Sequence, residues 1–184
     1  MAESVLGVEG GEGEMWNVIV RGAAVIGAAL LATTTGLAPA QADTRTFRDQ
    51  GAHLTTVEVI HGAQVEVKAS VGPYRIGSYF TFWLDTRASN AGPEYKMEVY
   101  PNSDGLAVLR VGNFSDKGRA VRCPGFRATA DVFGPEVVTI TVPRSCIGNP
   151  SRVRVAVRAY YDVPGPNVID WGPGLRQFFG WVHR

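Results

Sequence analysis

From residue 53 onward the chain alternates apolar and polar side chains with a period of two. That period places successive side chains on opposite faces of an extended backbone, the signature of a half-buried strand. Arg152–Tyr161 is the most regular run: Val153, Val155, Val157 and Ala159 alternate with Arg152, Arg154, Ala156, Arg158 and Tyr160. Gln64–Val71 sets Val65, Val67, Ala69 and Val71 against Glu66, Lys68 and Ser70. Tyr79–Asp85 puts Phe80, Phe82 and Leu84 on one face and Tyr79, Thr81 and Trp83 on the other. Strands are also predicted over His53–Ile60, Glu94–Tyr100, Leu106–Val111, Arg119–Val132 and Glu136–Val142, with a final edge strand over Phe178–Val182. Asn102-Ser103-Asp104-Gly105 and Phe133-Gly134-Pro135-Glu136 read as hairpin turns. Asp43–Gly51 reads as a polar lead-in, and the stretch after Tyr161 as a Pro/Gly-rich tail.

No segment after residue 42 keeps a helical period over ten or more residues. About eight short strands, each with one apolar stripe, predict an all-β fold. The expected form is an antiparallel two-sheet β-sandwich, jelly-roll-like, with its core between the sheets. A closed barrel is the alternative.

The first 42 residues follow a different pattern. Arg21 precedes the apolar stretch Ala23–Leu31, and Ala40-Gln41-Ala42 supplies small residues before a cut. This is the layout of a cleaved secretory signal. Arg21 and Thr33-Thr34-Thr35 leave the run too short to span a bilayer. The acidic segment before Met15 has the wrong charge for a signal, and Met-Trp-Asn-Val-Ile-Val-Arg from Met15 has the right one, so translation is expected to start at Met15. The domains expected are a signal over 1–42 and one secreted domain over 43–184, with no membrane span after cleavage.

Removing the signal changes the composition. The remaining 142 residues carry 17 basic and 13 acidic groups, a net charge of +4 with neutral histidines. That is enough chain for a sizeable core and too little charge to argue for nucleic acid. Arginine outnumbers lysine 15 to 3 in the whole sequence, a bias of GC-rich bacterial genomes. In an exported chain the two cysteines, Cys123 and Cys146, are expected to form a disulfide. A hairpin centred between Gly134 and Pro135 would set them directly opposite each other.

Three short motifs stand along these strands: Trp83-Leu84-Asp85-Thr86, Gly92-Pro93-Glu94-Tyr95 and Val142-Pro143-Arg144-Ser145-Cys146. With them the chain resembles small uncharacterised secreted β-sandwich proteins of actinobacteria. Its layout is also similar to carbohydrate-binding modules and DOMON domains. The resemblance implies an extracellular sandwich with a binding role; it transfers no site residue and no cofactor.

Catalytic signatures are missing. The sequence has no Gly-x-Ser-x-Gly elbow and no phosphate loop before a helix. His53, His61 and His183 lack metal-site spacing and read as surface histidines at strand ends. Asp85, Asn90, Glu94 and Asp104 are oxygen-bearing residues in two loops, the weak candidates for calcium. Asp85 and Glu94 are the pair a small hydrolase would use.

Binding is the better expectation, and no enzyme activity is expected. Tyr79, Trp83 and Asp85 could stack on and hydrogen-bond a sugar if their face were open; coverage of both faces of this central strand is the alternative. Arg154 and Arg158, with Tyr160 in register and Arg152 before them, could meet an anionic wall polymer, or form a solvated outer face. The function expected is a secreted, non-catalytic module for an extracellular glycan, wall polymer or secreted protein. Alternatives are an interaction or inhibitory protein using the Pro143-Arg144-Ser145 loop, and the small hydrolase.

Overall fold

A computed structural model describes residues 42–75, 77–90, 92–101, 106–130 and 136–184. The expected signal, its start at Met15 and the turns at 102–105 and 131–135 lie outside them. The described chain is all-β, with twelve strands and one 3-10 turn. The smaller sheet runs in the order β1 (Asp43–Arg48), β2 (Leu54–His61), β3 (Gln64–Val71), β9 (Val137–Pro143), β8 (Arg127–Ala130). The larger runs β11 (Val168–Gly172), β10 (Arg152–Tyr161), β4 (Tyr79–Asp85), β5 (Tyr95–Tyr100), β6 (Leu106–Val111), β7 (Arg119–Ala120). The two-residue strand β12 (Val182–His183) joins the larger sheet by pairing with the start of β10. Every pairing is antiparallel.

The inward stripes of the two sheets form the core of a β-sandwich. Val57, Val59, Val65, Val67, Val138, Ile140 and Val142 come from the smaller sheet, and Phe80, Phe82, Leu84, Met97, Val99, Val153, Val155 and Val157 from the larger. The outer faces differ. That of the smaller sheet is polar, with Lys68 bridging Glu58 at 3.1 Å and Glu66 at 3.2 Å. On the larger sheet the outer residues Thr81, Trp83, Asp85 and Ala156 are themselves buried. Something therefore covers the middle of that sheet on its outer side.

Three sequence expectations need correction. The polar lead-in is a strand: β1 pairs with β2 from Asp43↔His61 to Arg48↔Thr56, and its Phe47 stacks on Phe179 at 5.0 Å. The tail also contains a strand, β11, paired with the end of β10, while the edge strand expected over Phe178–Val182 shrinks to Val182–His183. Arg119–Val132 is not one strand. A turn at Pro124-Gly125, with Gly125 at φ 86°, breaks it and carries the chain from one sheet to the other. Glycine tolerates that left-handed backbone at no steric cost.

The Cys123–Cys146 disulfide is present, with Cα atoms 5.6 Å apart. Its setting is not the one expected. β8 and β9 pair Arg127↔Thr141, one residue out of the register that would oppose the cysteines. Cys123 lies before β8, in the crossover, and Cys146 in the 3-10 turn Arg144–Ile147. The bridge thus ties a sheet-to-sheet connection to the end of β9.

Candidate functional site: an aromatic and arginine face

Antiparallel register builds the outer face of the larger sheet row by row. Tyr79 stands opposite Tyr160 on β10, and Tyr100 follows it on β5. The rings of Tyr79 and Tyr160 lie 4.7 Å apart at 22°, and those of Tyr79 and Tyr100 lie 5.8 Å apart at 29°. Near-parallel rings so close overlap face to face; they cannot lie side by side in one plane. Both faces of Tyr79 are therefore occupied, and the half-buried row turns ring edges to solvent. Ile169 on β11 continues the row, 55% exposed. Burial, with Glu98 nearby, pushes the Tyr100 hydroxyl up, so it stays neutral at physiological pH.

The next row carries Glu98, Thr81, Arg158 and Trp171. Arg158 is half-buried. Its guanidinium carbon lies 5.4 Å from the Tyr79 ring centroid and 5.7 Å from those of Trp83 and Trp171. Its Nη2 donates to Tyr79 Oη and Thr81 Oγ1 over long 3.4 Å contacts. Its Nε is buried without a partner, and Arg158 belongs to none of the ion pairs among the described residues. Glu98 instead takes Lys96 at 2.9 Å and Arg110 at 3.3 Å. Lys96, Arg110, Arg152, Arg154 and Arg158 share this face with only Glu98 and Asp85 as carboxylates on the same strands.

Beyond Arg158 the face is closed by an aromatic cover. Trp83 is 1% exposed. Trp171 stacks on it at 5.1 Å and 10°, Phe114 packs at 5.1 Å, and Phe178 packs on Phe114 at 5.3 Å. Phe114 comes from the loop after β6. Asn113 Oδ1 accepts from the Ser115 and Asp116 amides, and Asp116 Oδ1 accepts from the Asn113 amide. Gly118 closes that loop at φ 68°, where a Cβ would stand 2.7 Å from the Val111 carbonyl oxygen. The tail is pinned by the Phe179 amide, which donates to Val155 O at 2.9 Å. Phe179 and Val182 turn inward, leaving Phe178 and Trp181 over Arg154, with ring centroids 4.7 and 4.6 Å from its guanidinium carbon.

These contacts answer the sequence expectations residue by residue. Tyr79, Tyr160 and Arg158 come together on the accessible part of the face. Of the two readings of this central strand, coverage holds: loop and tail aromatics lie over Trp83, and no open groove joins it to Tyr79 and Asp85. Asp85 is 0% exposed; its Oδ2 takes Arg154 Nε at 2.7 Å and Nη2 at 2.5 Å, and its Oδ1 takes the Arg87 amide. So placed, its carboxylate is committed to an internal ion pair rather than set in an open cleft. Glu94 Oε2 accepts from Thr86 N at 2.7 Å and Thr86 Oγ1 at 3.0 Å. Asn90 is exposed, Asp104 lies outside the described residues, and no group of three His, Cys, Asp or Glu gathers among the described residues. Arg144 is also committed internally, donating to the Asn149 and Pro150 carbonyls. Tyr100 and Phe114 are the participants sequence reasoning missed. For Tyr100, the alternation of Glu94–Tyr100 against Tyr79–Asp85 held the signal; Phe114 reaches the face from a loop, and Trp171 and Phe178 from the tail.

Comparison with family models, curated proteins and solved structures returns no match for this chain. Among the described residues no helix is long and apolar enough to cross a membrane.

Proposed function

We propose that this chain is an exported, non-catalytic binding module that holds an anionic glycan or wall polymer on the outer face of its larger sheet. The expected signal and the disulfide support an extracellular setting. The carrying observation is Arg158: a half-buried guanidinium with an orphaned Nε, framed by three rings and lacking a carboxylate partner among the described residues. The three rings around it offset part of its desolvation. Tyr79 Oη and Thr81 Oγ1 give its Nη2 only long contacts, and an external anion offers the charge-assisted bonds that guanidinium geometry favours.

The tyrosine row refines the ligand. Its rings stack on one another, so they offer edges rather than a flat platform for a neutral sugar. From β5 to β11 the row crosses three strand spacings, about 14 Å, enough to follow a short run of polymer. Affinity electrophoresis of the purified protein through gels containing polygalacturonate or neutral dextran tests the proposal. Retardation by polygalacturonate alone, lost in Arg158→Gln, is the expected result. Equal mobility in both gels, or retardation that survives Arg158→Gln, contradicts it.

A further inference from the structure

Nearer the start of β10, a cavity of about 350 Å³ opens between Gly92, Phe114, Arg154, Arg176 and Phe178. It is separate from the tyrosine row. Phe114 and Phe178 supply apolar walls, tilted 45° to each other. Arg154 enters with its charge already matched, because Nε and Nη2 both bind Asp85 Oδ2.

Arg176 is different. It is exposed and belongs to no ion pair among the described residues. Its backbone is left-handed, with φ 56°. The turn that holds it is closed by the Gln177 amide donating to Gly174 O at 3.0 Å, and its neighbour Leu175 is 68% exposed. A non-glycine residue is strained in this conformation. Packing does not explain the strain, since neither side chain at the turn tip enters the core. What the turn achieves is to set one uncompensated guanidinium on the rim of a cavity with aromatic walls.

We propose that this cavity is a subsite for a single carboxylate carried on a six-membered ring. The carboxylate takes Arg176, and an apolar face of the ring lies against Phe114 and Phe178. The volume falls at the small end of ligand sites, which suits one ring rather than an extended molecule. A uronic acid residue and an aromatic acid share this chemistry.

The test is an amide chemical-shift titration of the protein with glucuronate and with benzoate, alongside their neutral counterparts glucose and benzamide. Saturable shifts at Gly92, Phe114 and Arg176 with at least one acid, about tenfold weaker with its neutral counterpart, support the subsite. Glucuronate alone identifies a sugar acid as the source, and benzoate alone an aromatic acid. Arg176→Lys keeps the charge and retains binding. Arg176→Gly removes the charge and relieves the left-handed backbone, so it loses binding about tenfold or more while its melting temperature rises. No saturable shifts with either acid, equal binding of a neutral counterpart, or unchanged binding in Arg176→Gly overturns the proposal.

Discussion

Asp85 stands directly opposite Arg154 in the β4–β10 ladder, and both Nε and Nη2 of the guanidinium bind its Oδ2. The carboxylate is wholly buried, whereas the arginine side chain keeps 29% of its surface. Removing only the arginine leaves a buried carboxylate whose one remaining backbone donor among the described residues is the Arg87 amide. Arg154→Met is therefore expected to cost about 3 kcal/mol in urea unfolding. Adding Asp85→Leu to that variant should recover most of the loss, because no buried charge remains. A double variant no more stable than Arg154→Met would show that packing under Phe178 and Trp181, not charge, sets the cost.

The disulfide joins positions 23 residues apart, from the crossover to the 3-10 turn. Closing a loop of that size limits the unfolded chain, and loss of the bridge should cost about 3 kcal/mol. Urea midpoints of the protein and of Cys123→Ser/Cys146→Ser measure this. Most core strands do not depend on the bridge, so the double variant is expected to keep its far-ultraviolet circular dichroism.

His61 makes stability depend on pH. Expected at the surface, it is instead fully buried at the end of β2, with Nδ1 3.3 Å from the Val182 carbonyl of β12. Burial holds the imidazole below its ordinary range, and Arg144 and Arg184 press the same way; the Val182 and Pro150 carbonyls oppose them in part. The folded state thus binds this proton less readily than the unfolded chain. Its contribution is present above the unfolded value of about 6.5 and is lost as pH falls through the folded value. Melting temperature should drop between about pH 7 and about pH 5, and His61→Gln should flatten that part of the curve. An unchanged slope in the variant would assign the loss to other groups.

Period-two alternation was enough to place β3, β4, β6 and β10 within their observed bounds. Those strands carry full apolar stripes, so their own composition reports their burial. β1 has one aromatic anchor, Phe47, and is held by its ladder to β2. β11 is five residues long and half-exposed. Both owe their strand state to a partner, and a local pattern does not record that. The split of Arg119–Val132 did leave a local mark, Pro124-Gly125, outweighed by the expectation of a continuous disulfide hairpin.

The candidate site was legible to the same depth. Alternation alone set Tyr79, Thr81 and Trp83 on one face and Arg154, Arg158 and Tyr160 on another, and antiparallel pairing makes those faces one. It could not show which part stays open. That depends on Phe114, Trp171 and Phe178, brought from 31 to 95 residues away along the chain to cover Trp83.

The central claim is that Arg158 lacks an anion, and the salt dependence of polymer binding tests it most directly. Polygalacturonate affinity of the protein and of Arg158→Gln should be measured at several ionic strengths. The protein is expected to bind more weakly as salt rises. Arg158→Gln should bind about tenfold more weakly at low salt, with a shallower dependence, while unfolding at nearly the same urea concentration. Binding that ignores salt, or an Arg158→Gln variant that binds as tightly and with the same salt slope, would contradict the account.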